Sequence, residues 1–296
     1  ALSWPRTSQR TAPGSWAGST RATRRWVANM TNPGGILATC NYLPPASPDA
    51  CRLDVVTVTC NRPGAVKEQG ARLAPQLFPD DRWIVVDDAP NQAAPFSELA
   101  HALERPEAFM GIRLSYVRNG RVGTVNQARE AGCRLARPDA WIVEVDDHDF
   151  VEPDALAAVR DAICRGAVFV YGDVQWCTED GRLGRTFRKP DYHPYLFRDE
   201  MCPAEGVRAF PKWLYEAAGG YRWSGEPGLH RNEFPAGDYA LYTRMELLTE
   251  GTGFHRIACV LNRQPKVEGG ISTRYGQQQL ENAIAIRAAA QNGTLL

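Results

Sequence analysis

The chain has 296 residues, with 34 basic and 34 acidic side chains and a formal net charge of zero; 44% of residues are hydrophobic and 9% aromatic. That length and composition suit a sizeable core in one large domain or two small ones. They exclude a wholly basic nucleic-acid binder, an acidic disordered chain and, with no apolar run near the roughly 18 residues required, a membrane span.

Residues 1–50 read as a basic extension. They hold Arg6, Arg10, Arg21, Arg24 and Arg25 with no acid before Asp49, and no helical or strand period persists. There is no apolar stretch of the kind a secretory signal uses. Such an arm either hugs the surface or is a partly disordered extension, with Trp4, Trp16 and Trp26 as anchors, or it touches an anionic acceptor or a membrane surface.

From residue 53 the pattern alternates between β-branched runs and helical stretches. Residues 53–59 (LDVVTVT) read as a strand ending in a Cys-Asn-Arg-Pro-Gly turn, and 64–77 as a helix. A second strand, 83–86, stops at Asp87-Asp88; 96–105 reads as helix, 113–117 as strand and 124–137 as helix. A fourth strand, 141–145, stops at Asp146-Asp147-His148-Asp149. Pro153 opens a helix through Cys164, since proline suits the first helical position. A fifth strand covers 168–171. Short apolar strands alternating with helices imply βαβ units and a mostly parallel sheet.

The second half is less regular. A hairpin is expected over 173–188 around Glu179-Asp180-Gly181, then a short helix over 211–218 closed by Gly219-Gly220. A polar, aromatic loop covers 221–236. A helix over 238–250, a strand over 254–261 and a last helix over 277–290 follow.

Eight cysteines are present without a C-x-x-C pair, which argues against a zinc ribbon. Cys60, Cys164 and Cys259 sit in apolar runs and read as reduced, buried residues of a cytoplasmic protein. Only Lys67, Lys189, Lys212 and Lys266 are lysines among the basic residues. The arginine bias fits either genome composition or bidentate phosphate recognition.

The chemistry concentrates where strands stop. In an open α/β sheet ligands bind at the carboxyl ends of strands. The turn from Thr59 to Pro63, Asp87-Asp88 and the 146–149 tetrapeptide therefore belong to one edge. So many acids together are costly unless a cation or a donor-rich ligand neutralises them. No G-x-G-x-x-G follows the first strand and no GxxxxGK[ST] is present, which opposes a dinucleotide-binding dehydrogenase and a P-loop kinase.

Several motifs fall in an order that resembles the inverting, family 2 type of GT-A nucleotide-sugar glycosyltransferases. They are VVTVTCNRP at 55–63, WIVVDDAP at 83–90, NGRVGTVNQAREAG at 119–132, VEVDDHD at 143–149, Tyr171-Gly172-Asp173-Val174, Gly219-Gly220-Tyr221 and Gly237-Asp238-Tyr239. His148 stands where a second Asp is usual in the Asp-x-Asp site, and Gly237 where the family often has Glu. The resemblance implies a Rossmann-like α/β fold with a mostly parallel sheet flanked by helices and a less regular acceptor-side half. It divides the chain into the 1–50 arm, a glycosyltransferase domain at 51–270 and a C-terminal helix and tail at 271–296.

It also implies roles. Thr59, Asn61, Arg62, Asp87, Asp88, Asp146 and Asp147 would bind the nucleoside diphosphate of a nucleotide-sugar donor, Asp88 accepting from the base edge. Asp146 and His148, at i and i+2, share a face of extended backbone and would hold Mn2+ or Mg2+. Asp238 would be the general base, with Glu233 in reserve. The acceptor is open among glycan, protein, lipid, small molecule and modified DNA. Two other readings stay open: a non-catalytic nucleotide or carbohydrate-binding module on the same fold, and a metal-dependent phosphate-processing enzyme.

Overall fold

The computed structural model describes residues 26–31, 37–42, 44–60, 62–88, 113–118, 125–178, 182–199, 204–221, 236–265 and 276–295. Strands β1 (Trp26–Thr31) and β2 (Leu37–Tyr42) pair antiparallel, Trp26 opposite Tyr42. The arm was expected to hold no strand. WVANMT and LATCNY lack clean alternation, and strands of this kind are stabilised by their cross-strand partners, which local sequence does not display.

The remaining strands are β3 (Leu53–Thr59), β4 (Arg82–Asp87), β5 (Arg113–Arg118), β6 (Trp141–Glu144), β7 (Phe150–Val151), β8 (Phe169–Cys177), β9 (Leu183–Phe187), β10 (Arg208–Pro211) and β11 (Phe254–Pro265). They form one nine-stranded sheet in the order β5-β4-β3-β6-β10-β8-β11-β7, with β9 on β8. Strands β5, β4, β3 and β6 run parallel, so Thr59, Asp87 and Asp146 do share one edge. The sheet as a whole is mixed rather than mostly parallel. Strand β10 lies antiparallel to both β6 and β8, and β7 and β9 are also antiparallel to their neighbours. Four residues that begin with Arg208 and end in Pro211 carry no strand signature; they extend because they complete the ladder between β6 and β8.

Seven helices among the described residues surround the sheet: α1 (Pro63–Leu73), α2 (Val125–Leu135), α3 (Ala155–Cys164), α4 (Leu196–Asp199), α5 (Lys212–Ala217), α6 (Gly237–Thr249) and α7 (Gly276–Gln291). Alternate strand residues feed two cores. Val55, Trp83, Val85, Trp141 and Val143 pack with Val66 and Leu73 of α1 and Leu156 and Val159 of α3. Val56, Ile84, Val86 and Ile142 pack with Ala128 of α2, Leu214 of α5, Tyr239 and Tyr242 of α6 and Ile286 of α7. Strands buried on both faces read as unbroken apolar runs, as these do. Gly132 lets α2 close on the sheet: a Cβ there would lie 2.5 Å from Cγ1 of Val56 and 2.9 Å from Cγ2 of Val86. The helix expected over 96–105 lies outside the described residues.

The arginines serve the interior. Buried Asp54 receives Arg82 and Arg137, each at 2.6 Å, Asp173 receives Arg256 at 2.8 Å, and Asp81 pairs with Arg160. Three of the cysteine expectations are corrected. Cys60 and Cys259 are exposed and Cys164 is partly buried, whereas Cys51, Cys133 and Cys177 are the buried thiols among those described; all six are thiols outside any disulfide. Cys60 falls one residue past the end of β3, and Cys259 lies in the irregular stretch of β11 between Ile257 and Val260, so neither side chain follows the apolar run into a core.

Candidate active site

The turn after β6 is built by its own acids. Backbone N–H of Asp149 donates to the carbonyl of Asp146 at 3.0 Å, which curls 146–149 into a tight turn. Asp147 points back toward β3. Its Oδ2 accepts from the Thr59 hydroxyl at 2.7 Å, and Oδ1 takes Arg62 at 2.8 Å. The first strand-end turn and the acidic turn are thereby joined, and Pro63 starts α1 immediately after Arg62. The N–H of Asp88 donates to the carbonyl of Thr59 at 2.9 Å and brings the β4 end alongside. Asp87 is buried and accepts from the Tyr116 hydroxyl at 3.1 Å, while Asp88 is partly exposed at the sheet edge. Asn61 and Glu233 lie outside the described residues.

Asp146 faces the opposite way, toward α2 and α6. Its Oδ1 accepts from Nη2 of Arg129 at 2.7 Å and lies 4.0 Å from Nη2 of Arg208. The other arm of the same Arg129 guanidinium, Nη1, reaches Oδ2 of Asp238 at 3.5 Å. Asp238 sits in the first turn of α6 and its Oδ1 accepts from the N–H of Tyr239 at 2.9 Å. One buried guanidinium thus spans two carboxylates, from the turn after β6 and from helix α6, which lie far apart in the chain. Burial opposes the charge on Asp146, but Arg129, Arg208 and His148 together hold its carboxyl well below the usual carboxylate range.

Behind this pair, Arg208 is 2% exposed, with Nε 3.4 Å from Oε2 of Glu144; neither Nε nor Nη2 is aligned for a hydrogen bond. Glu144, Arg208, Asp146, Arg129 and Asp238 form a run of alternating charge beneath the sheet edge. Arg244 donates to the carbonyls of Ala218 at 2.7 Å and Gly220 at 2.6 Å. Glu144 and Arg208 were not singled out by sequence. The available signal was an acid inside the apolar strand WIVEV, since a buried carboxylate requires partners.

The fit to a cation rests on His148 and Asp149. The imidazole Nδ1 lies 3.2 Å from Oδ1 of Asp147 and Nε2 4.0 Å from Oδ1 of Asp149. Desolvation works against a charged His148, yet the hydrogen bond to Asp147 and the surrounding acids raise its pKa. Asp149 is fully buried and neither carboxyl oxygen has a hydrogen bond; burial and then the charge of Asp146 push its pKa up to about 7. Among the described residues no three His, Cys, Asp or Glu side chains converge as a complete cage. A cation completed by substrate phosphates needs only one or two protein ligands, a smaller requirement than such a cage.

The profile of glycosyl transferase family 2 matches residues 54–216, more than half of the chain, and the chain belongs to that family. Solved structures share its fold. Staphylococcus aureus TarS residues 1–349 in complex with UDP-GlcNAc superpose with a TM-score of 0.59 at 13% identity, covering 81% of this chain and 66% of that one. The mannosyltransferase PcManGT from Pyrobaculum calidifontis, in complex with GDP-Man and Mn2+, gives 0.55 at 16% identity over 84% and 70% of the two chains. GalNAc-T7 with UDP, GalNAc and Mn2+ gives 0.54 at 14% identity over 80% and 48%. The fold is the GT-A fold. This chain spans 65–66% of the length of the TarS 1–349 structures. No curated protein matches the sequence.

Proposed function

We propose that the chain is a glycosyltransferase that moves a sugar from a nucleoside-diphosphate sugar to an acceptor hydroxyl with inversion. The observation that carries this reading is the Arg129 bridge, which holds Asp146 of the family's donor motif and Asp238 at 2.7 and 3.5 Å from one guanidinium. An inverting displacement needs those two groups on either side of one anomeric carbon. The nucleotide sugars held by TarS and PcManGT support the donor class.

Asp238 would take the proton of the acceptor hydroxyl as it attacks. Its Oδ1 is oriented by the Tyr239 N–H at 2.9 Å, and Oδ2 faces Nη1 of Arg129 at 3.5 Å. Thr59, Arg62 and Asp147 would shape the bed of the nucleotide, with Asp88 accepting from the base edge, Asp87 bracing the turn from within, and Asn61 and Arg62 contacting the ribose or phosphate. Asp146 and His148, with Asp149 behind, would hold Mn2+ or Mg2+. When bound, the cation supplies Lewis-acid stabilisation of the charge that develops on the departing diphosphate. Imidazole beside carboxylate favours Mn2+ over Mg2+. The six described cysteines, none in a disulfide, support a reducing, cytoplasmic setting, and no helix among the described residues is long and apolar enough to cross a membrane.

The test is a thermal-shift and calorimetric screen against UDP-, GDP-, dTDP- and CDP-sugars with Mn2+, with Mg2+ and with chelator, followed by donor turnover and NMR of the product's anomeric proton. A stabilising nucleotide sugar, metal-dependent affinity and an inverted product are expected. A chain that none of the nucleotides stabilises, or a retained anomeric configuration, contradicts the proposal.

A further inference from the structure

Glu144 is 1% exposed in a strand whose neighbours Trp141, Ile142, Val143 and Val145 are 0–2% exposed. The glycosyl-transfer chemistry does not use it. An apolar residue would fill the strand at lower desolvation cost, so the meaning of the carboxylate lies in what it holds. Oε1 accepts from the Tyr221 hydroxyl and, at 3.6 Å, from Sγ of Cys133. Oε2 accepts from the Tyr242 hydroxyl at 2.5 Å and faces Nε of Arg208 at 3.4 Å.

Each partner belongs to a different element: Cys133 to α2, Arg208 to β10, Tyr242 to α6 and Tyr221 to the turn after α5. That turn is itself forced. Gly220 has φ +67°, and a Cβ on it would lie 2.6 Å from Oε2 of Glu130, which instead receives the N–H of Tyr221 at 2.9 Å. Asp146 lies two residues beyond Glu144 on one side. Asp238 lies four residues before Tyr242, one helical turn away on the same face of α6. Glu144 is the point at which the strand leading to Asp146 and the helix carrying Asp238 are bonded to each other.

We propose that Glu144 is a positioning residue for the transfer reaction. Through the Tyr242 and Tyr221 hydroxyls it fixes the depth and rotation of α6 against β6, and so the separation of Asp238 from Asp146. The inference rests on the roles proposed above for those two aspartates. Hydrogen bonds to a carboxylate are directional where apolar packing is not, and a misplacement of about 1 Å at a reacting centre can cost roughly a hundredfold in rate.

The experiment uses the full chain with Tyr242→Phe, Glu144→Gln and the double variant, assayed on whichever UDP-, GDP-, dTDP- or CDP-sugar the wild type turns over. Tyr242→Phe keeps the ring in the core and removes only the hydroxyl. Each single variant should lower kcat by about tenfold or more with donor KM within about twofold of wild type. The double variant should be no slower than the slower single, because both break one contact. Unchanged kcat, a KM that rises in step with the loss, or multiplicative losses in the double variant overturn the proposal. A wild type that turns over no donor defeats the glycosyl-transfer reading instead. Hydrogen exchange then decides the clamp on its own: faster exchange at 239–243 in Tyr242→Phe, with β4 unchanged, supports it, and unchanged exchange at 239–243 overturns it.

Discussion

Arg129 donates from Nη2 to Oδ1 of Asp146 at 2.7 Å, so the carboxylate two residues past β6 is already tied to a guanidinium. The arginine is buried, and its second arm serves Asp238. Replacing it with methionine removes the cation the two carboxylates share and leaves Asp146 with Arg208 at 4.0 Å. Breaking a buried pair by removing one partner costs about 3–5 kcal/mol, and urea unfolding of Arg129→Met should show a loss of that size. Arg129→Lys restores charge without the two-pronged reach and should fall between. A loss below about 1 kcal/mol, the range of an ordinary substitution, would show that the bridge is incidental.

His148 is the residue on which metal preference should turn. His148→Ala should unfold at the wild-type urea midpoint while Mn2+-dependent affinity for UDP or GDP drops at least about tenfold. His148→Asp should recover affinity and move the preference toward Mg2+, which selects oxygen ligands. Calorimetry with and without chelator reads both. Nucleotide affinity that ignores the metal in wild type and His148→Ala alike would remove His148 from the ligand set.

Asp238→Asn separates catalysis from support of the first turn of α6, because asparagine keeps the oxygen that accepts the Tyr239 N–H at 2.9 Å. The variant should melt close to wild type and bind donor nucleotide normally, yet transfer about 10²–10⁴ times more slowly. Wild-type turnover in the variant would assign the base elsewhere, with Glu233 the next residue to replace.

Acid sensitivity should trace to Asp54. Burial opposes its ionisation, but hydrogen bonds from Arg82 and Arg137 outweigh that and hold its pKa below the ordinary value. A depressed folded-state pKa gives stability that is present above the unfolded value, near 3.8, and lost as pH falls through the folded one. The wild type should therefore lose stability below about pH 4, and Asp54→Asn should lose it at neutral pH while flattening the acid slope. Parallel slopes in the two proteins, measured by urea unfolding from pH 2 to 7, would exclude Asp54 as the source.

The amino-acid sequence by itself determined the α/β class, the strands β3, β4, β5 and β6, and the edge at which Thr59, Asp87 and Asp146 gather. Those features are local: an apolar run long enough to be buried on both faces, stopped by acids, needs no knowledge of distant residues. It missed β10, the β1–β2 hairpin and the exposure of Cys60 and Cys259, each of which depends on a partner strand or a bulge. The tertiary structure alone decided what the four side chains from 146 to 149 do. Consecutive residues in a turn point in different directions, so Asp147 turns back to Thr59 and Arg62, Asp146 faces Arg129, and Asp149 is enclosed without a hydrogen bond. Periodicity carries no record of such directions, nor of the 109 residues that separate Arg129 from Asp238. That pairing exists because α2 and α6 pack on the same face of the sheet, and the charge of a buried guanidinium must be met by whatever acids the fold brings within reach.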